Sequence, residues 1–145
     1  MTIRVLVADD QAMIRGALAG LLDLERDIEV VAQAADGLQA LEELGRLADS
    51  SGPTRANAPA DVAIIDIEMP RMDGITATQA IRARFPGVRV LIVTTFGRPG
   101  YLQRALDAGA TGFMVKDAPV ETLADGVRTV AAGGRAIDQS LALEA

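Results

Sequence analysis

Short, mostly apolar runs of β-branched and aliphatic residues recur along this chain, and most stop at a polar residue. They are Ile3–Ala8, Ile28–Ala32, Val62–Ile67, Val88–Val93 and Gly112–Val115. A run that is continuously apolar, rather than alternating, predicts a strand covered on both faces. The segments between the runs carry helical spacing. Met13, Ile14, Ala17, Leu18, Leu21 and Leu22 fall on one face of a first helix, and Leu38, Leu41, Leu44 and Leu47 on one face of a second over Gly37–Leu47. Ile75–Phe85 supplies a third. A Pro-Gly turn within Gly97–Tyr101 opens a fourth, stopped by Gly109, and Asp117 and Pro119 open a fifth that runs to Gly133-Gly134.

Strand–helix alternation of this kind predicts an α/β doubly wound (βα)5 fold. Its five-stranded parallel sheet would have the flavodoxin-like order 2-1-3-4-5, with helices on both faces. Residues 1–133 form the domain. Within it, 48–60 is rich in Ser, Gly, Pro and Asn and reads as a flexible surface insertion. The tail, 134–145, reads as a helix start or the head of a linker.

Composition narrows the chemistry. The 145 residues include no cysteine and no histidine, which excludes disulfides, thiol catalysis, an imidazole base and the usual zinc sites. A net charge of −6 is the wrong sign for a free-standing nucleic-acid binder. No run approaches membrane-spanning length, and "MTIRVLVADD" lacks the basic start of a signal peptide. The expected location is the cytoplasm. Carboxylates, hydroxyls and lysine remain to do chemistry.

The strand ends carry those groups. Asp9 and Asp10 follow strand one, Asp66 ends strand three, Thr94 follows strand four and Lys116 follows strand five. In the predicted order these ends share one sheet edge, at the crevice where ligands bind. Three clustered carboxylates repel unless a cation joins them, and an oxygen-only donor set suits Mg2+. A lysine and a hydroxyl alongside can hold an anion. Together they describe a phosphoryl-handling site, with an aspartate between metal and lysine as the nucleophile of an acyl phosphate. Each residue also has a plainer reading. Asp9-Asp10 suit a helix cap, Asp66 a turn, Lys116 a solvated loop and Phe113 the core. Joint placement at four strand ends favours the site.

The motifs "VLVADD", "AIIDIEMPRMDG", "VLIVTT" and "GFMVKD", in that order, resemble the receiver domain of two-component response regulators. "DIEMP" with "TTFGRPGYLQRALDAGATGFMVKDAP" is similar to the NarL/LuxR type, in its DesR-like subgroup. The resemblance implies that Asp66 accepts a phosphoryl group from a sensor histidine kinase or a small donor such as acetyl phosphate. Asp10, Asp66 and the Glu68 backbone carbonyl would ligate Mg2+, with Asp9 acting through water. Lys116 would pair with phosphoryl oxygens, Thr94 would move toward them, and Phe113 would swing into the vacated space. Such a chain turns over no substrate beyond its own phosphorylation and dephosphorylation. It forms a homodimer on phosphorylation, through helices one and five or through helix four, strand five and helix five. DNA would be reached only through a C-terminal helix-turn-helix, whose pattern these residues lack, and no membrane is involved.

The chain departs from the family pattern at the long 48–60 segment and at Asp117, where many receivers have proline. Thr95 stands where a small residue often lines access to the site and would slow small donors, and Glu68 would alter the lifetime of the acyl phosphate. The competing readings are a haloacid-dehalogenase-like phosphatase, a flavin- or nucleotide-binding fold, and a stand-alone or degenerate receiver. The phosphatase places its nucleophile on the first strand, the reverse of the order here. "ADDQAMIRG" lacks the phosphate loop that a nucleotide needs.

Overall fold

The computed structural model describes residues 2–51, 58–95 and 100–138, leaving aside the side chains of 50 and 51. Strands and helices alternate as β1 (Ile3–Ala8), α1 (Ala12–Asp23), β2 (Ile28–Ala34), α2 (Gly37–Ser51), β3 (Val62–Ile65), α3 (Gly74–Arg84), β4 (Arg89–Thr94), α4 (Tyr101–Ala108), β5 (Gly112–Val115), α5 (Val120–Ala131) and β6 (Ala136–Ile137). The sheet order is β2-β1-β3-β4-β5-β6, parallel throughout. The order reverses between β1 and β3, as the sequence predicts.

Alternate residues of each strand feed two separate cores. Leu6, Ala63, Ile65, Val90 and Ile92 pack with α2, α3 and α4 through Leu41, Leu44, Ile81, Leu102 and Ala105. Val5, Val7, Val62, Ile64, Leu91 and Val93 pack with α1 and α5 through Leu22, Leu123, Val127 and Val130. Both faces are dry, which is why the strands read as mostly apolar runs. Each large side chain taken from water adds about 1.5–3 kcal/mol, so the central strands anchor the edge that carries the site.

Four expectations need correcting. The sheet has six strands, because β6 pairs in parallel with β5 (Gly112↔Ala136, Phe113↔Ile137). Gly133 leaves α5 at φ 95° and turns the chain back, and two residues are too few for any periodic signal. That strand takes up 136–137 of the tail, which the sequence alone reads as a helix start or a linker head. Next, α2 continues through 48–51, where the sequence suggests a flexible insertion; 52–57 lie outside the described residues, as do 96–99, where the turn opening the fourth helix is expected, and 139–145 of the tail. The third strand stops at Ile65, which makes Asp66 the first residue beyond it.

Finally, the apolar stripe of α1 is not a buried face. Met13 is 88% exposed, Ile14 38% and Leu21 47%, while Ala19 and Leu22 are buried. The helix sits with one edge on the sheet, and Ile14, Ala17, Leu18 and Leu21 form a groove with Val120 and Leu123 of the α5 segment.

Candidate functional site

The C-terminal ends of β1, β3, β4 and β5 meet at one edge of the sheet. Asp9 leaves β1 with its N–H on the Ala34 carbonyl (3.0 Å), and Asp66 leaves β3 with its N–H on the Ala8 carbonyl (3.0 Å). These bonds continue the ladder one residue past the strands and fix both aspartates where the strand order reverses. The Lys116 N–H donates to the Thr94 carbonyl at 2.8 Å, which ties the β5 end to the β4 end.

The lysine joins the acids. Lys116 Nζ lies 2.7 Å from Asp9 Oδ2 and 3.0 Å from Asp66 Oδ2, and all three side chains are nearly buried. Asp66 Oδ1 accepts the Ile67 N–H at 2.8 Å, and Asp9 Oδ1 accepts the Gln11 N–H at 2.9 Å. The Asp9 bond is a local turn. The N-cap residue of α1 is Gln11, with no side-chain bond of its own, so the plain capping reading of Asp9-Asp10 does not account for them.

Burial pushes the Asp66 carboxyl above its usual range, and the neighbouring Asp9 charge adds to this; the bond and charge of Lys116 pull the other way without winning. Burial also works against the Lys116 ammonium, but its bonds to Asp9 and Asp66 outweigh that and leave its pKa raised.

Asp10 is exposed and lines a cleft of about 250 Å³ with Gln11, Asp66, Glu68, Thr94, Thr95 and Lys116. Carboxylate oxygens of Asp9, Asp10 and Asp66 lie within 4.8 Å of one another. Oxygen donors alone, open to water through Asp10, are the donor set Mg2+ favours, so these residues fit that ion. The opposite wall carries a buried threonine and an ammonium, fit for an anion. An acidic cluster that a divalent cation fits, with an ammonium and a hydroxyl in the same cleft, suits transfer of a phosphoryl group to a carboxylate.

Residues 5–128 match the response regulator receiver domain family. The chain belongs to that family.

Its relatives agree. The receiver is 41% identical over 133 residues to the transcriptional regulatory protein DesR of Bacillus subtilis, covering 92% of this chain and 60% of DesR. It is 40% identical over 139 residues to the uncharacterized transcriptional regulatory protein YvfU of the same organism, covering 96% of this chain and 64% of that protein. The receiver domain of the putative response regulator NarL from Mycobacterium tuberculosis superposes with a TM-score of 0.79 at 32% identity, covering 91% of this chain and 98% of that one. This receiver therefore spans about three-fifths of the length of those curated relatives.

The sequence-predicted residues are brought together with one exception. Asp9, Asp10, Asp66, Thr94, Thr95, Glu68 and Lys116 share the cleft region. Phe113, wholly buried on β5, instead packs in the core with Ile92 opposite it in register. Sequence reasoning missed Tyr101, whose hydroxyl donates to Glu68 Oε1 at 3.2 Å and links the cleft rim to α4. It also missed Arg15, whose guanidinium donates to the Asp9 carbonyl at 2.8 Å. Being the chain's single tyrosine was the available signal for Tyr101; a helical arginine bonding back to a loop carbonyl leaves none.

Proposed function

We propose that this receiver is a phosphorylation switch in which Asp66 accepts a phosphoryl group in the presence of Mg2+. The observation that carries the reading is that Lys116 bonds both Asp66 and Asp9, while Asp66 clusters with Asp9 and Asp10 within reach of one cation. Asp10, Asp66 and the Glu68 carbonyl would hold the metal, with Asp9 acting through water. When bound, Mg2+ offsets the carboxylate charge and the charge of an incoming phosphoryl oxygen.

An Asp66 carboxylate oxygen forms the new bond to phosphorus as the donor's imidazole N–P bond breaks. The Lys116 ammonium shifts from the carboxylates to a phosphoryl oxygen, and the Thr94 hydroxyl turns to donate to another. Movement of Thr94 frees space beside β4 for Phe113, so the local charge event reaches the α4–β5–α5 surface. Thr95 and Glu68, on the cleft wall, govern donor access and the lifetime of the acyl phosphate. Beyond phosphorylating and dephosphorylating itself, the domain turns over no substrate.

The donor is a sensor histidine kinase, consistent with a chain that has no histidine of its own. The receiver extends through β6, and the residues that follow lead toward a DNA-binding domain that controls transcription. The setting is the cytoplasm; among the described residues no helix is long and apolar enough to cross a membrane. Incubation with acetyl phosphate and Mg2+, followed by intact-mass measurement, tests the switch. One phosphoryl group is expected, lost in Asp66→Asn and in EDTA. Labelling that survives either condition contradicts the assignment.

A further inference from the structure

The loop between β3 and α3, which carries Glu68, contains a backbone outlier. Arg71 has φ 65°, the one positive φ outside glycine among the described residues. Left-handed backbone costs a long side chain about 1 kcal/mol or more, and arginine has none of the short-range bonding that eases Asn or Asp into it. Something must hold it there.

What holds it is Asp36, at the start of α2. Arg71 Nε donates to Asp36 Oδ2 at 2.9 Å and a terminal nitrogen donates to Oδ1 at 3.2 Å, a two-pronged pair. Asp36 is 6% exposed and already anchored: its Oδ1 accepts the Gln39 N–H at 2.8 Å, while the Gln39 side chain accepts the Ala35 N–H. That is a reciprocal helix cap, so the acceptor is fixed in place independently of Arg71. Beside it the Gly37 N–H donates to the Met72 carbonyl at 3.0 Å, and a Cβ on Gly37 would meet that oxygen at 2.7 Å. The Arg71 guanidinium also holds the Asp36 carboxyl below the usual carboxylate range.

Two loops 35 residues apart are thus pinned at the middle of the segment that begins at the phosphoacceptor. A half-exposed ion pair adds little to stability. Here it selects a conformation that arginine disfavours, which points to a role in geometry.

We propose that the Asp36–Arg71 pair is a clamp that fixes the β3–α3 loop, making both residues positioning residues for the divalent-cation pocket at Asp10, Asp66 and Glu68. This rests on the Mg2+-dependent reading of Asp66. An unclamped loop must be ordered when the ion binds, and that cost appears as weaker binding.

The test is an Mg2+ titration of the full chain, read from backbone amide shifts in NMR spectra of the protein without phosphate. Arg71→Met removes the guanidinium and leaves the left-handed strain of the backbone unopposed. Asp36→Asn keeps a side-chain cap on α2 but loses the charge. Each should raise the Mg2+ dissociation constant about three- to fivefold, the span of a partly exposed ion pair, and the double variant should go no further than either alone. Equal dissociation constants in wild type and both variants, or additive effects in the double variant, overturn the clamp while leaving the metal reading intact. A wild type with no saturable Mg2+ binding overturns the metal reading, and the clamp with it.

Discussion

Gly74 begins α3 with its backbone against Asp66: a Cβ there would sit 2.0 Å from the Asp66 carbonyl oxygen and 3.0 Å from an Ile65 methyl. Backbone cannot yield as a flexible side chain can, so Gly74→Ala should cost about 1–3 kcal/mol. It should also slow labelling of Asp66, since the displaced atoms are its own. Thermal melting beside acetyl-phosphate labelling checks this, and a variant with unchanged melting and labelling contradicts it. Asp73 next to it caps α3 by accepting the Thr76 N–H at 2.8 Å. At this scale Asp9, Asp10, Asp66, Thr94 and Lys116 were legible because strand ends are legible, and parallel order sends those ends to one edge. Arg71 and Asp36 were not, since no local rule pairs residues 35 apart or forecasts a left-handed arginine.

Among elements, α5 is tied to the turn before β2 by one side chain. Arg128 donates to Asp27 at 2.8 and 2.9 Å, to Glu25 at 2.7 Å and to Asp125 at 2.8 Å. The bond from Arg128 holds Asp27 below the usual carboxylate range. A carboxyl depressed in the folded state contributes stability above its unfolded pKa, about 3.9, and loses that contribution as pH falls through the folded value. Arg128→Met should therefore melt lower than wild type near neutral pH. The gap should close as the pH drops below about 4. Melting curves across that range decide it, and a gap that stays constant with pH contradicts the pairing. Helix α1 shows where sequence reading fails at this scale. Its periodicity located the helix correctly, but periodicity does not say how far a partner covers the stripe, and Ile14, Leu18 and Leu21 line a groove between α1, α5 and Val93 of β4. Likewise β6 exists through its bonds to β5, such as the Asp138 N–H on the Phe113 carbonyl at 2.9 Å, with no pattern of its own.

For the whole molecule, the sheet order and two-sided core followed from the continuity of the apolar runs, and the receiver fold was legible to that extent. If phosphorylation drives dimers, phosphorylated chain should elute earlier on sizing chromatography than unmodified chain. Identical elution with and without a phosphoryl mimic contradicts phosphorylation-driven dimers. The proposed function turns on one residue: Asp66, bonded to Lys116 and clustered with Asp9 and Asp10, is proposed to take the phosphoryl group. Borohydride reduction of the acetyl-phosphate-treated chain, with peptide mapping, tests it most directly. Reduction should convert Asp66 alone to homoserine, and only when Mg2+ was present during labelling; homoserine at Asp9 or Asp10, or none at Asp66 in protein shown by mass to be phosphorylated, would contradict it.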